Sequence, residues 1–378
     1  MVKTLYHSLC FCIVLVLFSC SGGKKETGTF NLSTPQKNQY ASYFKIYSEK
    51  DFSVLVTYLN VAKTDSAIYV LYKGIKPELN FPVHYVKIPV QKLASFSSTF
   101  IGFLNKLEVV EKIKAVDNLD FISNTMVQYL AAEGSVKELN KTGQLNMEQT
   151  LASGVEIIFT NPSGDPKKDF DKRLSDAGIT PIVCADYFEN HPLGRAEWIK
   201  AMALFFNKEK EADSIFNSVD ANYQTLKKST DTCKNKPTVF TEKKTNDVWF
   251  VAGGKSSVAQ FLKDAGADYL WKDIDKTNAT AMSMEQVIQK AVNADYWINL
   301  HLCNSAEELL KLDGRYGEFN AFKKGNLYNN NARTSIKGAN EYWESGLCSP
   351  DQVLQDLVKI FHPELQPNHQ LKYYKQLK

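Results

Sequence analysis

Apolar and polar positions are arranged differently in four stretches of the chain. Leu9 to Phe18 is an almost unbroken apolar run. Tyr43–Tyr58 and Ala67–Tyr72 are β-branched and aromatic runs broken by Glu-Lys-Asp and Thr-Asp-Ser clusters, a pattern that predicts short strands in a meander. Further on, short apolar runs at 156–160, 181–184, 238–241 and 296–300 sit between helical patterns, which predicts two groups of α/β units with parallel strands. Between those groups Trp198, Ile199, Met202, Phe205 and Phe206 mark one helical stripe, and Ala212, Ile215, Phe216, Val219, Tyr223 and Leu226 continue it. Pro192 suits a first helical turn, and Asn207 is expected to cap a second helix. That helix, Lys208 to Lys228, would span about 30 Å, enough to join two halves as a strut.

The two halves echo each other. Asn146-Met-Glu-Gln149 and Ser283-Met-Glu-Gln286 each precede an amphipathic helix and a buried strand. Each pairs an N-cap residue with Gln at the third helical position, and places Glu148 or Glu285 in the first turn, where the helix dipole favours negative charge. Capping alone would account for either glutamate; their recurrence at matching places is what suggests a role. A looser echo pairs Ser97-Ser-Thr99 with Gly253-Gly-Lys-Ser-Ser257, polar loops that open helices and can turn backbone donors toward a ligand.

The start of the chain speaks to compartment. Lys3, the short apolar run and Leu17-Phe18-Ser19-Cys20 have the layout of a secretory signal, and the run is too short to span a bilayer. Leu-Phe-Ser-Cys resembles the bacterial lipoprotein box, which implies that Cys20 becomes an acylated N-terminus, a stable anchor in the periplasm whose leaflet stays open. Residues 21–38 are polar and read as a flexible tether. A net charge of +3 over 378 residues gives no nucleic-acid surface and points to a small-molecule or protein partner; separately, the chain is expected to be a monomer. Cys184, Cys233, Cys303 and Cys348 match no zinc spacing, and their pairing is open.

The succession of Gly143-Gln-Leu-Asn-Met-Glu148 before Val155–Thr160, the strut, Trp249-Phe-Val-Ala-Gly-Gly-Lys-Ser256 leading to Leu262-Lys-Asp-Ala-Gly-Ala267, and Ser283-Met-Glu-Gln286 before Ala294-Asp-Tyr-Trp297 resembles the Fe/B12-type periplasmic binding proteins of ABC importers. The resemblance runs through roughly residues 90 to 365; residues 39–85 depart from it. It implies an α/β fold of two Rossmann-like lobes joined by a single long backbone helix, here with an extra N-terminal β-meander. The expected divisions are a signal peptide at 1–20, the tether at 21–38, a first lobe at 39–190, connecting helices at 191–230 and a second lobe at 231–378. The implied function is capture of an iron complex (siderophore or haem) or cobalamin, with no resident cofactor or metal, and delivery to the permease. Glu148 and Glu285 look like the family's permease-docking glutamates, which meet arginines.

Within such a cleft, Tyr187 and Arg195 are expected at the rim of the first lobe, and Trp249, Arg333, Tyr342 and Trp343 on the second. Aromatic rings wall a macrocycle, and Arg or Tyr pairs with carboxylates, phosphate or an iron chelate. For each aromatic, simple core packing competes with this role. A zinc or manganese carrier is the nearest rival, because His84, His191 and His301 suffice by count for a three-histidine site. Catalysis is not expected: Gly254-Lys255-Ser256 lacks the first glycine of a phosphate loop, and there is neither a Gly-x-Ser-x-Gly elbow nor a His-Glu-x-x-His. A glycan-active or adhesive lipoprotein stays open as a third class.

Overall fold

The computed structural model describes residues 32–140 and 144–378. The expected signal peptide, Cys20 and most of the tether lie outside the described residues. Phe44–Ser48, Phe52–Tyr58 and Ser66–Tyr72 pair antiparallel in chain order, the expected meander, and a fourth strand, His84–Lys87, then joins in parallel. Strand alternation turns Leu55, Tyr69 and Leu71 into one continuous core with Phe100, Phe159, Trp198 and Phe205 of the first lobe. The Tyr69 hydroxyl accepts a hydrogen bond from Val183 N–H at 2.9 Å. The segment that departs from the family pattern is therefore a covering layer of the first lobe.

The entry to that layer is held by two buried carboxylates. Glu197 accepts from the N–H groups of Gln39, Tyr40 and Ala41 at 2.8–2.9 Å, and Glu189 accepts from those of Ser42 and Tyr43 at 2.9 Å. An extended backbone without a strand partner finds its acceptors there. Packing begins upstream of Gln39, since Gln36 N–H donates to Ile46 O at 2.8 Å.

The first lobe carries a five-stranded parallel sheet in the order Lys137–Glu138, Ile113–Val116, Leu93–Ser95, Ile157–Thr160, Thr180–Val183. In the second lobe the order is Asp268–Tyr269, Thr238–Thr241, Tyr296–Ile298, Leu327–Asn329, Lys375–Gln376, parallel except for the last strand. Each order places the first strand of its lobe between later ones, as in doubly wound sheets.

The connecting helix runs over Glu209–Thr230, 22 residues or about 33 Å. Its buried face changes allegiance along its length: Ala212 and Phe216 belong to the first core, Val219 and Tyr223 to the second. Asn207 does not cap it. That residue sits in the left-handed region at φ 58° and closes the preceding turn, a conformation that asparagine tolerates better than most side chains. A second crossing adds to the strut. The π-helical turn Tyr342–Gly346 packs on the first-lobe helix Ser98–Lys106, where Thr99 Oγ1 donates to Trp343 O at 2.8 Å. Ser123 N–H of the first lobe donates to the Glu344 carboxylate at 2.8 Å. Gly102 permits this approach, because a Cβ there would lie 2.2 Å from Glu344 O.

Candidate functional site

A cavity of about 820 Å³ opens between the lobes. Parallel sheets bind ligands beyond the carboxyl ends of their strands, and the second lobe follows that rule three times. Glu242 follows strand Thr238–Thr241, Asn299 follows Tyr296–Ile298, and Asn330 follows Leu327–Asn329, and all three line the cavity. From the first lobe, Ser98 at the opening of its helix and Phe121 complete the wall, with Pro192 and Arg195 at the crossover.

Two of these strand ends, and His301 beyond the second, are held in costly conformations. Glu242, Asn299 and His301 have φ of 68°, 61° and 55°. Left-handed backbone at such residues costs on the order of 1–3 kcal/mol each and persists where its surroundings enforce it. Asn329 holds the segment after the second of these strands: fully buried, its amide nitrogen donates to His301 O at 2.7 Å and Cys303 O at 2.8 Å, and its oxygen accepts from Leu300 N–H at 2.8 Å. His301 Nε2 is thereby delivered to Glu242 Oε2 at 2.5 Å on the cavity wall. Asn331, also on the wall, donates to Cys303 O and Asn304 Oδ1 at 3.1 Å, while its own oxygen is a buried acceptor with no partner among the described residues. Neutral amides with an imidazole and a carboxylate make a wall able both to donate and to accept.

The expected cleft residues divide. Arg195 lines the cavity, its Nε donating to the buried Asp186 carboxylate at 2.9 Å, so its orientation is set before any ligand arrives. Tyr342 and Trp343 line it as well, their rings edge to face at 4.8 Å; burial pushes the Tyr342 phenol up, while Trp343 is about half exposed. Trp249 does not line it. It lies on strand Val248–Val251 of an antiparallel hairpin, wholly buried, stacked on Trp297 at 5.6 Å with its indole N–H on Thr241 O. Arg333 is turned to Glu341 in a two-pronged ion pair at 2.6 and 2.9 Å, and Tyr187 donates to Pro162 O at 3.0 Å; neither lines the cavity.

The Gly253-Gly254 pair is consumed by packing, since Cβ atoms there would meet Lys276 O at 2.2 Å and Lys272 O at 2.0 Å. Ser257, just beyond it, does face the cavity. The three histidines of the rival carrier are scattered: His84 stacks on Phe170, His191 caps the helix at Leu193 and lines a separate cavity, and only His301 reaches the cleft. They do not form one site. The Glu242–His301 pair and the asparagines were missed by sequence reasoning; the signal was present as polar residues at the ends of apolar strand runs.

Outside the cleft, both echo helices are capped at their starts, but only the second has the reciprocal pair, since the Asn146 N–H donates instead to Leu139 O at 2.8 Å. Asn146 Oδ1 accepts from Gln149 N–H at 3.0 Å, and Ser283 with Gln286 forms a complete capping box. Glu148 is exposed and has no partner among the described residues. Glu285 is exposed and accepts from Arg315 Nη1 at 3.2 Å; backbone and Ser283 hydrogen bonds, with the arginine, hold its carboxyl below the usual range. The four cysteines of the described residues are free thiols.

Comparison with known proteins agrees with this architecture. The family model described as periplasmic binding protein matches residues 93–334. An uncharacterized lipoprotein of Methanocaldococcus jannaschii is 28% identical over 295 residues, covering 75% of this chain and 68% of the relative. A possible iron-binding (periplasmic solute-binding) protein from Staphylococcus epidermidis superposes with a TM-score of 0.56 at 18% identity, covering 72% of this chain and 99% of that one. A periplasmic heme binding protein from Pseudomonas aeruginosa gives 0.54 at 17%, covering 72% and 93%. At such identities the structural likeness speaks for the fold alone. The family match spans well over half of the chain, and its members bind solutes and are not enzymes: this chain belongs to the periplasmic binding protein family.

Proposed function

We propose that the protein captures a bulky metal-centred solute in its cleft, an iron complex with siderophore or haem or else cobalamin, and hands it to the permease of an ABC importer. The cavity of about 820 Å³ beyond the strand ends carries this reading; it falls in the range of small-molecule sites and is wide enough for a macrocycle or chelate. An imidazole beside a carboxylate, an oriented arginine and two aromatic rings supply ligands, charge and flat walls. The iron- and heme-binding proteins that share the fold support the same cargo class. In this reading residues 39–190 and 231–378 close on the cargo about the 191–230 link. Glu148 and Glu285 dock the permease, and an acylated Cys20 holds the protein to a membrane outside the cytoplasm.

Tryptophan fluorescence tests the capture step. Trp198, Trp249, Trp271 and Trp297 are at most 2% exposed, which leaves Trp343 as the reporter on the cleft wall. Titration of purified protein with haem, ferric siderophores and cobalamin is expected to give saturable quenching by one of them, with smaller amplitude in Trp343→Phe. Absence of saturable quenching across the panel would overturn the proposal.

A further inference from the structure

Three helices end at one place in the second lobe, apart from the cleft: the strut at Thr230, the helix Ser257–Asp264, and the helix Pro350–Phe361. Their ends are tied together. Thr230 Oγ1 donates to Asp264 O at 2.9 Å, and His362, which follows the third helix, places Nε2 3.2 Å from Gly266 O. A carbonyl oxygen can only accept, so Nε2 carries the proton there and Nδ1 presents a lone pair. Gly266 is needed at this junction: its φ is +75°, and a Cβ would stand 2.8 Å from His362 Nε2 and 3.0 Å from Thr230 Cβ.

Two more donor groups gather at the junction. Cys233, three residues past the strut, and Glu364, in the turn Pro363–Leu365, bring a sulfur and a carboxylate oxygen; these and an imidazole nitrogen of His362 all lie within 4.8 Å of one another. His362 Nδ1 to Glu364 Oε1 is already 3.7 Å. Tetrahedral zinc with such ligands has donor–donor edges of about 3.3–3.8 Å, so closing the set takes about 1 Å of adjustment. That adjustment falls on the partly exposed Cys233 and the exposed Glu364, while buried His362 stays fixed. The cluster also sits where three helix dipoles present their negative ends, a setting that favours a cation.

We propose that Cys233, His362 and Glu364 form a site for a borderline-soft divalent cation of the Zn²⁺ class, which staples the end of the inter-lobe strut to the C-terminal helix. Thiolate and imidazole select against magnesium and calcium, which prefer all-oxygen shells. A thiolate and a carboxylate neutralise the cation's charge. The bond from Nε2 to Gly266 O is the outer-shell contact that fixes the orientation of a metal-bound histidine. Three protein donors leave a fourth position for water.

Cobalt is the direct probe, because a thiolate ligand gives a sulfur-to-cobalt charge-transfer band in the near ultraviolet. Purified protein under a non-thiol reductant is titrated with Co²⁺, then back-titrated with Zn²⁺. One equivalent of cobalt with that band, displaced by zinc, is expected. Cys233→Ser should abolish the band, and exposed Glu364→Gln should keep it while weakening zinc at least about tenfold. His301→Ala serves as the control: the cleft pair has no sulfur among its wall residues, so that variant should leave the band intact. No band in the unaltered protein, or an unchanged band in Cys233→Ser, overturns the proposal.

Discussion

The two walls of the cleft differ in kind. The first lobe contributes a helix opening at Ser98, the ring of Phe121 and the crossover residues Pro192 and Arg195. The second contributes left-handed backbone at Glu242, Asn299 and His301 beyond two strands, a carboxylate paired to an imidazole, and a row of asparagines. Shape and one oriented charge stand on one side, strained polar chemistry on the other. Strain is retained where something enforces it, and at His301 Asn329 does so from the second lobe alone. On the proposed function, discrimination between cargoes belongs chiefly to the second wall, to which the strut and the Tyr342–Gly346 crossing join the first.

Variants can break this contrast, the largest effect coming from two tryptophans of the second lobe, Trp249 and Trp343. Trp249→Ala removes a fully buried ring stacked on Trp297 and should cost about 3–5 kcal/mol in chemical denaturation. Trp343→Ala should cost less than about 1 kcal/mol and instead weaken cargo binding, because its ring is half exposed on the wall. Equal destabilisation by the two would break the division between core and wall.

Next in size is a pH effect on the crossing between lobes. Burial pushes the Glu344 carboxyl up to about 7, with the neighbouring Glu341 adding to the rise and the Ser123 and Asn124 backbone hydrogen bonds opposing it. The folded state thus holds this proton more tightly than the unfolded state, where the value is ordinary. Its stabilising contribution is complete below the unfolded value, near 4.5, and is lost as pH rises through about 7. Denaturation midpoints compared at about pH 5 and about pH 8 should show the loss, on the order of 3 kcal/mol. Glu344→Gln should flatten that slope; an unaltered slope would assign it to other groups.

Smaller still is the effect of loosening the polar wall. His301→Ala leaves Glu242 without its partner and should weaken cargo binding about tenfold with little change in the melting midpoint. Phe121→Ala on the opposite wall, where the ring is already mostly exposed, should weaken it less. The reverse ranking would move discrimination to the first lobe.

The smallest stability changes are expected at Glu148 and Glu285, both exposed in first turns. Either change to Ala should leave folding and cargo affinity in place and lower uptake in cells. Glu285, steered by Arg315, and Glu148, without a partner among the described residues, need not contribute equally. Lost cargo affinity in either purified variant would contradict the docking role.

Much of this molecule was legible in its residue pattern, and the reasons are physical. Strand runs such as Thr238–Thr241, the long amphipathic helix and the two capped Glu helices are local, so period and capping residues specify them. Trp249 was misplaced because a buried hairpin strand followed by two glycines looks like a polar loop; the glycines serve backbone contact with Lys272 and Lys276. Arg333 was misplaced because its partner, Glu341, is set by a turn that no periodicity encodes. The Glu242–His301 pair joins residues 59 positions apart and rests on left-handed backbone at non-glycine residues, which sequence patterns do not announce.

Hydrogen–deuterium exchange with and without the cargo found by fluorescence titration tests the central claim most directly. The account predicts protection concentrated in residues 299–304 and 330–343, with a lesser change around Ser98 and Phe121. Protection confined to the separate cavity lined by Tyr40, His191 and Lys272, or none in the cleft segments, would contradict it.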